Sequence, residues 1–470
     1  MVAEDPNAWT PVRLDRRRPA APDAVATAPV PGKRVGLVSL GCPKNLVDGE
    51  VMLGTLRARG YELVNDATQA DVLLVNTCAF IDSAKQESVD AILEMAKLKE
   101  QHPGRRLVVT GCLAQRYDAE LRREIPEIDA TLGTNQVADV VRAVEGQDTH
   151  VDVGTRPSFL YSGEAPRLLS TPRWSAYVKI SEGCDYTCSF CIIPTLRGLH
   201  RSRPADDIVA EAKALAARGV RELVLVAQDS TRYGLDLGIR NGLAPLLRRL
   251  GEIDGLKWIR VMYAYPATMS DEILQAIAET EKVVKYVDMP LQHASDAVLR
   301  RMKRPTGRGN LLGMVERVRE KVPGVAFRTS FIVGFPGETE AEFEELLRFV
   351  EEARFDHLGV FTYSHEEGTT AHALADDVAA RTKQSRRRKL MSLQKKIATR
   401  RNRARRGQRF EVLVEGPHPE SEWLLEGRLA SQAPEIDGSV ILNDGRADPG
   451  TFVTCEVTEA HAYDLVARIV

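Results

Sequence analysis

Three cysteines stand on one short stretch, Cys184-Asp-Tyr-Thr-Cys188-Ser-Phe-Cys191. Three thiolates on a single loop can bind three irons of a 4Fe-4S cube and leave the fourth without a protein ligand. An exogenous ligand needs such an open iron, whereas a structural cluster or zinc normally takes four ligands from the protein. A structural zinc or a chance grouping is the competing account. Against it, no fourth cysteine lies nearby, and the closest histidine, His200, is nine residues on.

A second set is spread out. Cys42, Cys78 and Cys112 are 36 and 34 residues apart, yet each lies just past an apolar run, in Gly-Cys, Thr-Cys and Gly-Cys contexts. Parallel strands deliver their carboxyl ends to one edge of a sheet, so the three thiols should converge there. A convergent trio suggests a second cluster with an open iron. Any one of them could instead be a small buried hydrophobe. Asn45, Asp48 and Glu50 follow Cys42 as groups that either support such ligands or form a solvated polar turn. Cys455 falls inside a predicted strand and reads as a core residue.

The elements that must position these thiols are α/β. From about Arg34 to Val144, the short runs Arg34–Leu40, Asp71–Thr77 and Arg106–Gly111 alternate with amphipathic stretches such as Ile81–Leu98, which predicts an N-terminal parallel α/β domain. After a Pro-containing linker the alternation recurs about six times. The strands are expected at Ala176–Ile180, Glu222–Val226, Trp258–Met262, Val283–Asp288, Ala326–Val333 and Leu358–Phe361, with helices such as Ala205–Ala217 and Glu340–Glu352 between them. Six units are too few for a closed eight-fold barrel and suit a central open (βα)6 partial barrel, with function at the strands' carboxyl ends. A basic helix over Arg381–Arg406 leads to short strands at Phe410–Val414, Ser439–Leu442 and Phe452–Thr458, a small antiparallel β-barrel. The expected division is a disordered tail over 1–32, an N-terminal domain over 33–145, a linker over 146–172, the core with its basic helix over 173–406 and the C-terminal domain over 407–470.

The CxxxCxxC loop after the first strand of a (βα)6 unit resembles the radical-SAM superfamily. That resemblance implies that S-adenosylmethionine (SAM) chelates the open iron and is cleaved to a 5′-deoxyadenosyl radical, in a chamber that the protein shapes and keeps dry. Other strand ends would then line the SAM site: Gln228 with Asp229 after the second, Gln292 with His293 after the fourth, and Gly334, Pro336 and Gly337 in the stretch Gly334–Glu338 after the fifth. The two cysteine sets together, followed by a TRAM-like barrel, resemble the methylthiotransferase family over nearly the whole chain. The resemblance implies two 4Fe-4S clusters, held by Cys42, Cys78 and Cys112 and by Cys184, Cys188 and Cys191. It further implies that one SAM supplies the radical that removes hydrogen from an inert carbon, that the N-terminal cluster delivers sulfur, and that another SAM supplies the methyl group. No catalytic side chain beyond the cluster ligands is assigned.

Charge bears on the substrate. The chain is 43% hydrophobic and 28% charged with a formal net charge of −2, so no global attraction to nucleic acid or membrane follows. No run of about 18 apolar residues is present to span a bilayer, and seven cysteines without a secretory signal point to the cytoplasm. From Gln408 to Val470 there are four Arg and no Lys against twelve acidic residues, a net of −8. An RNA-gripping barrel should be basic, and an acidic one suits a basic protein, although a merely solvated acidic surface would look the same. The stretches Ser39–Asp48, Cys191–Gly198, Asp288–His293, Tyr363–Gly368 and Ala433–Gly438 resemble the branch of the family that modifies the β-carbon of an aspartate of ribosomal protein S-twelve, free or in the small subunit. A reductant and a sulfur donor are implied as further partners. The alternatives are the transfer-RNA branch, which forms 2-methylthioadenosine, and a non-catalytic iron–sulfur or zinc redox module. Arg381–Arg406, with thirteen cations and no acidic residue, could contact RNA or be a solvated helix facing the acidic barrel.

Overall fold

β-Branched runs covered on both faces form parallel strands, and the first region obeys this rule. In the computed structural model, which describes residues 33–147, 156–304 and 308–470, five parallel strands pair in the order β2-β1-β3-β4-β5. They are β1 (Arg34–Ser39), β2 (Glu62–Val64), β3 (Val72–Thr77), β4 (Arg106–Gly111) and β5 (Ala130–Leu132). The short β2 and β5 carry too few residues for a periodic signal. The register sets Ser39 opposite Asn76 and Thr77 opposite Gly111, so the carboxyl ends of β1, β3 and β4 lie side by side. The tail expected over 1–32 and part of the expected linker lie outside the described residues.

The central strands are β6 (Ser175–Lys179), then a small antiparallel pair β7 (Ser181–Glu182) and β8 (Arg201–Ser202) that carries the cysteine loop, and β9 (Glu222–Val226), β10 (Trp258–Val261), β11 (Tyr286–Asp288), β12 (Ala326–Val333) and β13 (His357–Thr362). Parallel pairing runs β6-β9-β10 and β11-β12-β13, and a bridge between Ile259 and Val283 joins the two trios into one open arc. The fourth strand begins later than the sequence suggests. Lys285 Nζ donates to the carbonyls of Ile277, Thr280 and Val283 at 2.6, 3.1 and 3.0 Å, and the chain bends around it before straightening at Tyr286.

The C-terminal strands β14 (Arg409–His418), β15 (Ser421–Leu429), β16 (Val440–Asp444), β17 (Phe452–Ala460) and β18 (Leu465–Ile469) close into a barrel, β14-β15-β16-β18-β17. Its pairs are antiparallel except β16 with β18, which run parallel. Cys455, 1% exposed, packs in its core as expected.

The barrel plugs the amino-terminal side of the central arc with buried charge. Glu222, fully buried at the start of β9, accepts from Arg260 Nε at 3.0 Å and from Arg428 Nη2 at 2.5 Å. Asp437, from the Ala433–Gly438 stretch, accepts from the Tyr286 hydroxyl at 2.7 Å and faces His357 and Arg328 at 3.3 and 3.5 Å. That motif is therefore a lock between core and barrel. Glu222→Gln should cost about 3–5 kcal/mol by leaving two buried guanidiniums short of counter-charge, read as a lowered midpoint of thermal unfolding.

The basic helix, Ala380–Arg403, sends several of its cations to the core and not to the acidic barrel. Lys383 pairs with Asp376, Arg386 with Glu338 and Glu340, and Arg401 with Asp356, all carboxylates of the core. Toward the barrel, Asn402 donates to the carbonyls of His461 and Ala462, a neutral contact.

Candidate active site

Each N-terminal cysteine is set by a sharp turn out of its strand. Gly41 and Gly111 take φ of 92° and 94°, and a Cβ on Gly111 would lie 2.6 Å from Asn76 Oδ1 and the Thr77 carbonyl. Glycine is thus required for the chain to pass against the neighbouring strand. A Cβ on Gly41 would sit 3.1 Å from that of Cys78, which places the first and second turns in contact. Cys42 caps the helix Pro43–Ala58, and Cys112 opens the helix Cys112–Glu124. Cys78 is clamped by Ser88, whose hydroxyl accepts from its N–H and donates to its carbonyl, both at 2.9 Å.

Burial pushes the Cys78 thiol up to about 12, and the neighbouring Cys112 and Cys42 add to the effect. Cys112 is raised by burial too, and Arg197 draws it back. Cys78 and Cys112, both raised, ionise more readily when a cation joins them, as a metal-thiolate site provides. The donor set therefore fits an iron–sulfur cluster.

The second set shows the same character. Cys184 is raised to about 11 and Cys191 to about 12, in each case mainly by burial, with Cys188 adding. Ser189 ties the loop to the core through its N–H on the Met302 carbonyl at 3.0 Å and its hydroxyl on the Arg301 carbonyl at 2.8 Å. Arg304 Nη1 lies 3.8 Å from Cys188 Sγ and its guanidinium covers the Tyr265 ring, itself stacked on Tyr186 at 4.0 Å. This donor set fits a cluster as well. Among the described residues no three His, Cys, Asp or Glu side chains are grouped closely enough to share one metal ion. The cysteines of a cube bind different irons and stand further apart than the ligands of a single zinc.

Between the two sets runs a buried ionic seam. Asp48, on the helix after Cys42, accepts from Lys179 Nζ at 2.5 Å and from Arg197. Glu182, two residues before Cys184, accepts from Lys179 at 2.5 Å, from Arg197 at 3.4 Å and from Gln228 Nε2 at 2.6 Å. Burial alone would raise the Glu182 carboxyl, but Lys179 and Arg197 outweigh it and hold it down to about 2. Arg197 Nη2 donates to Asn45 Oδ1 at 3.0 Å and to Cys112 Sγ at 3.5 Å. A guanidinium from the cysteine loop of the core thus touches a cysteine of the N-terminal sheet.

Asn45, Asp48 and Glu50 are not a solvated turn, being 1%, 4% and 1% exposed. Glu50 ties the described end of the expected linker, accepting from Arg167 Nη2 at 2.6 Å and from Ser170 N at 2.7 Å. Arg167 reaches on to Glu211 of the core at 2.8 Å.

The strand-end residues expected around SAM fall unevenly. Gln228 is drawn into the seam through Glu182. Gln292 holds φ 72° where its backbone bridges Phe331, next to His293, whose imidazole is held neutral, down to about 3, by burial and then by Arg301 and Arg386. Gly334 gives up its side-chain space to Lys383, 2.3 Å from where a Cβ would stand. Pro336 is buried, and Gly337 is exposed with its N–H on Asp377 at 2.7 Å. Sequence reasoning gave no role to Lys179, Arg197, Tyr263 or Arg304. Two of them left a trace: Lys179 as a charge ending an otherwise apolar strand, and Arg197 as a member of the stretch Cys191–Gly198.

Comparison with known proteins accounts for all three parts. Residues 34–133 match the model of the uncharacterized protein family UPF0004, residues 178–350 the radical SAM superfamily and residues 407–470 the TRAM domain. The ribosomal protein uS12 (S-twelve) methylthiotransferase RimO of Myxococcus xanthus is 55% identical over 93% of this chain and 92% of its own. Its namesake from Trichlorobacter lovleyi is 49% identical over 93% and 98%. The chain belongs to the RimO family of radical-SAM methylthiotransferases. It is an enzyme, and the RimO-family resemblance first read from its motifs is borne out. Among solved structures, the radical S-adenosylmethionine methyltransferase TsrM of Kitasatospora setae, bound to tryptophan and a SAM analogue, superposes with a TM-score of 0.51 at 16% identity, covering 70% of this chain and 73% of that one. At that identity the likeness bears on the fold alone. No helix among the described residues is long and apolar enough to cross a membrane.

Proposed function

We propose that this chain transfers a methylthio group to the β-carbon of an aspartate of ribosomal protein uS12 in the cytoplasm. Cys184, Cys188 and Cys191 hold a 4Fe-4S cluster that binds SAM at its open iron, and Cys42, Cys78 and Cys112 hold a second. When bound, the first cluster and SAM would supply the radical that activates the C–H bond, the second cluster would supply the sulfur, and another SAM would supply the methyl group. A reductant and a sulfur donor complete the reaction. The protein's own part is to seal the chamber between the two sets and to fix their separation through Asp48, Lys179, Glu182 and Arg197.

The observation that carries this reading is the contact of Arg197 with Cys112. Sulfur insertion requires the radical site and the sulfur site to face one substrate, and that contact sets both cysteine loops on one seam. For the substrate, the support is the net −8 of the C-terminal 63 residues, which repels a phosphate backbone and attracts a basic protein.

The test is product mass spectrometry with anaerobically reconstituted full-length protein, SAM, a reductant and either uS12 or transfer RNA. A uS12 heavier by one methylthio group at an aspartate is the expected result. A methylthiolated nucleoside with unmodified uS12 would select the transfer-RNA branch. Zinc without iron would leave a non-catalytic module.

A further inference from the structure

Lys44 follows Cys42 in the first turn of the helix Pro43–Ala58 and is 8% exposed. Its Nζ stands 3.5 Å from the centroid of the Tyr263 ring, just past the carboxyl end of β10. The other buried cations nearby have carboxylate partners: Lys179 meets Asp48 and Glu182, Arg197 the same pair, and Arg167 meets Glu50 and Glu211. Lys44 has none. Among the described residues no carboxylate lies within ion-pair distance of it and no acceptor takes its protons. The groups whose charge favours its ammonium are Tyr263, then Cys42, then Glu182.

A buried ammonium with three unused donors is costly, and a cation–π contact offsets only part of that cost. Tyr263 is itself held in an uncommon conformation, φ 61°, with its N–H on Asp288 Oδ2 at 3.0 Å. A bulky residue in the left-handed region is strained, and such strain persists where the surroundings enforce it and clusters at ligand clamps. The Lys44–Tyr263 contact thus joins the first helical turn after Cys42 to the core chain just past the end of β10.

We infer that Lys44 is the specificity-determining cation that receives the side-chain carboxylate of the substrate's acidic residue, with Tyr263 as its floor. The inference rests on the proposed function. In an aspartate the β-carbon is bonded directly to the carboxyl carbon, so anchoring the carboxylate fixes the reacting C–H to within one bond. The substrate in turn supplies the carboxylate partner that no residue of the protein gives Lys44, which makes an amide or an apolar residue in that place unfavourable.

The experiment uses full-length reconstituted protein and two fluorescent uS12 peptides, one with the acceptor aspartate and one with asparagine there. A charge-assisted hydrogen bond corresponds to about tenfold to a hundredfold in affinity. Lys44→Met should weaken the aspartate peptide by about that factor and erase the preference over asparagine, and Lys44→Arg should keep most of it. Iron content and SAM cleavage without peptide should match the wild type, which separates lost recognition from lost folding. An unchanged aspartate preference in Lys44→Met overturns the inference. So does a loss of SAM cleavage with peptide affinity intact, which would assign Lys44 to the cofactor's carboxylate. If the wild type modifies no uS12, the proposed function fails instead, whatever Lys44 does.

Discussion

Cys78→Ala should abolish methylthiolation and leave SAM cleavage intact, whereas Cys188→Ala should abolish both. The division follows from placement. Cys78 ends β3, its backbone clamped by Ser88 of its own region, and its nearest ionisable neighbours are Cys42 and Cys112. From the core it feels Arg197, which draws its thiol back down. Cys188 shares its field with Cys184 and Cys191 and is covered by Arg304. Loss of one thiolate from a three-thiolate set frees a second iron and destabilises that cluster alone. Iron should therefore fall from about eight per chain to about four in either variant. 5′-Deoxyadenosine should form in Cys78→Ala at near wild-type rate and drop to background in Cys188→Ala, with modified uS12 absent from both. Equal loss of deoxyadenosine in the two variants would refute the separation.

What the sequence makes legible follows from what local sequence encodes. The Cys184–Cys191 spacing is local, so its chemistry could be read directly. The wide set was legible because its strands, Arg34–Ser39, Val72–Thr77 and Arg106–Gly111, are apolar runs, each followed within three residues by a cysteine that glycine or threonine precedes. β2 and β5 were not, being too short for periodicity, and neither was β15, whose exposed tip with Trp423 breaks alternation. The seam was invisible for another reason. Asp48, Lys179 and Arg197 are far apart in the chain, and charged residues on a helix or strand end read as solvated until a partner is seen across an interface. Asp48, Glu50 and the basic helix were the places where solvation was the natural expectation, and there burial and pairing with the core took its place.

The seam yields the second large expectation. Arg197→Met should uncouple the enzyme, so that SAM is consumed and little methylthio product appears. Arg197 is 3% exposed and serves Asp48, Glu182, Asn45 and Cys112 at once. Without it two buried carboxylates share the single charge of Lys179, and breaking such a network costs about 3–5 kcal/mol. That loss falls on the joint between the helix Pro43–Ala58 and β6, so the N-terminal sheet should loosen against the core before either unfolds. Hydrogen exchange should rise in peptides covering Asn45–Leu56 and Ser175–Glu182 while the β9–β10 region stays protected. The ratio of deoxyadenosine to methylthiolated uS12 should rise about tenfold or more, since misplacement by about an ångström costs about a hundredfold in rate. Arg197→Lys keeps the charge and loses the planar fork, so it should protect stability better than coupling. If Arg197 served only to stabilise the fold, SAM cleavage and product would fall together in both variants and recover together on cooling. A rising ratio in Arg197→Lys at wild-type thermal stability is what a positioning role requires, because only then has the distance between the two cysteine sets changed without loss of the fold that carries them.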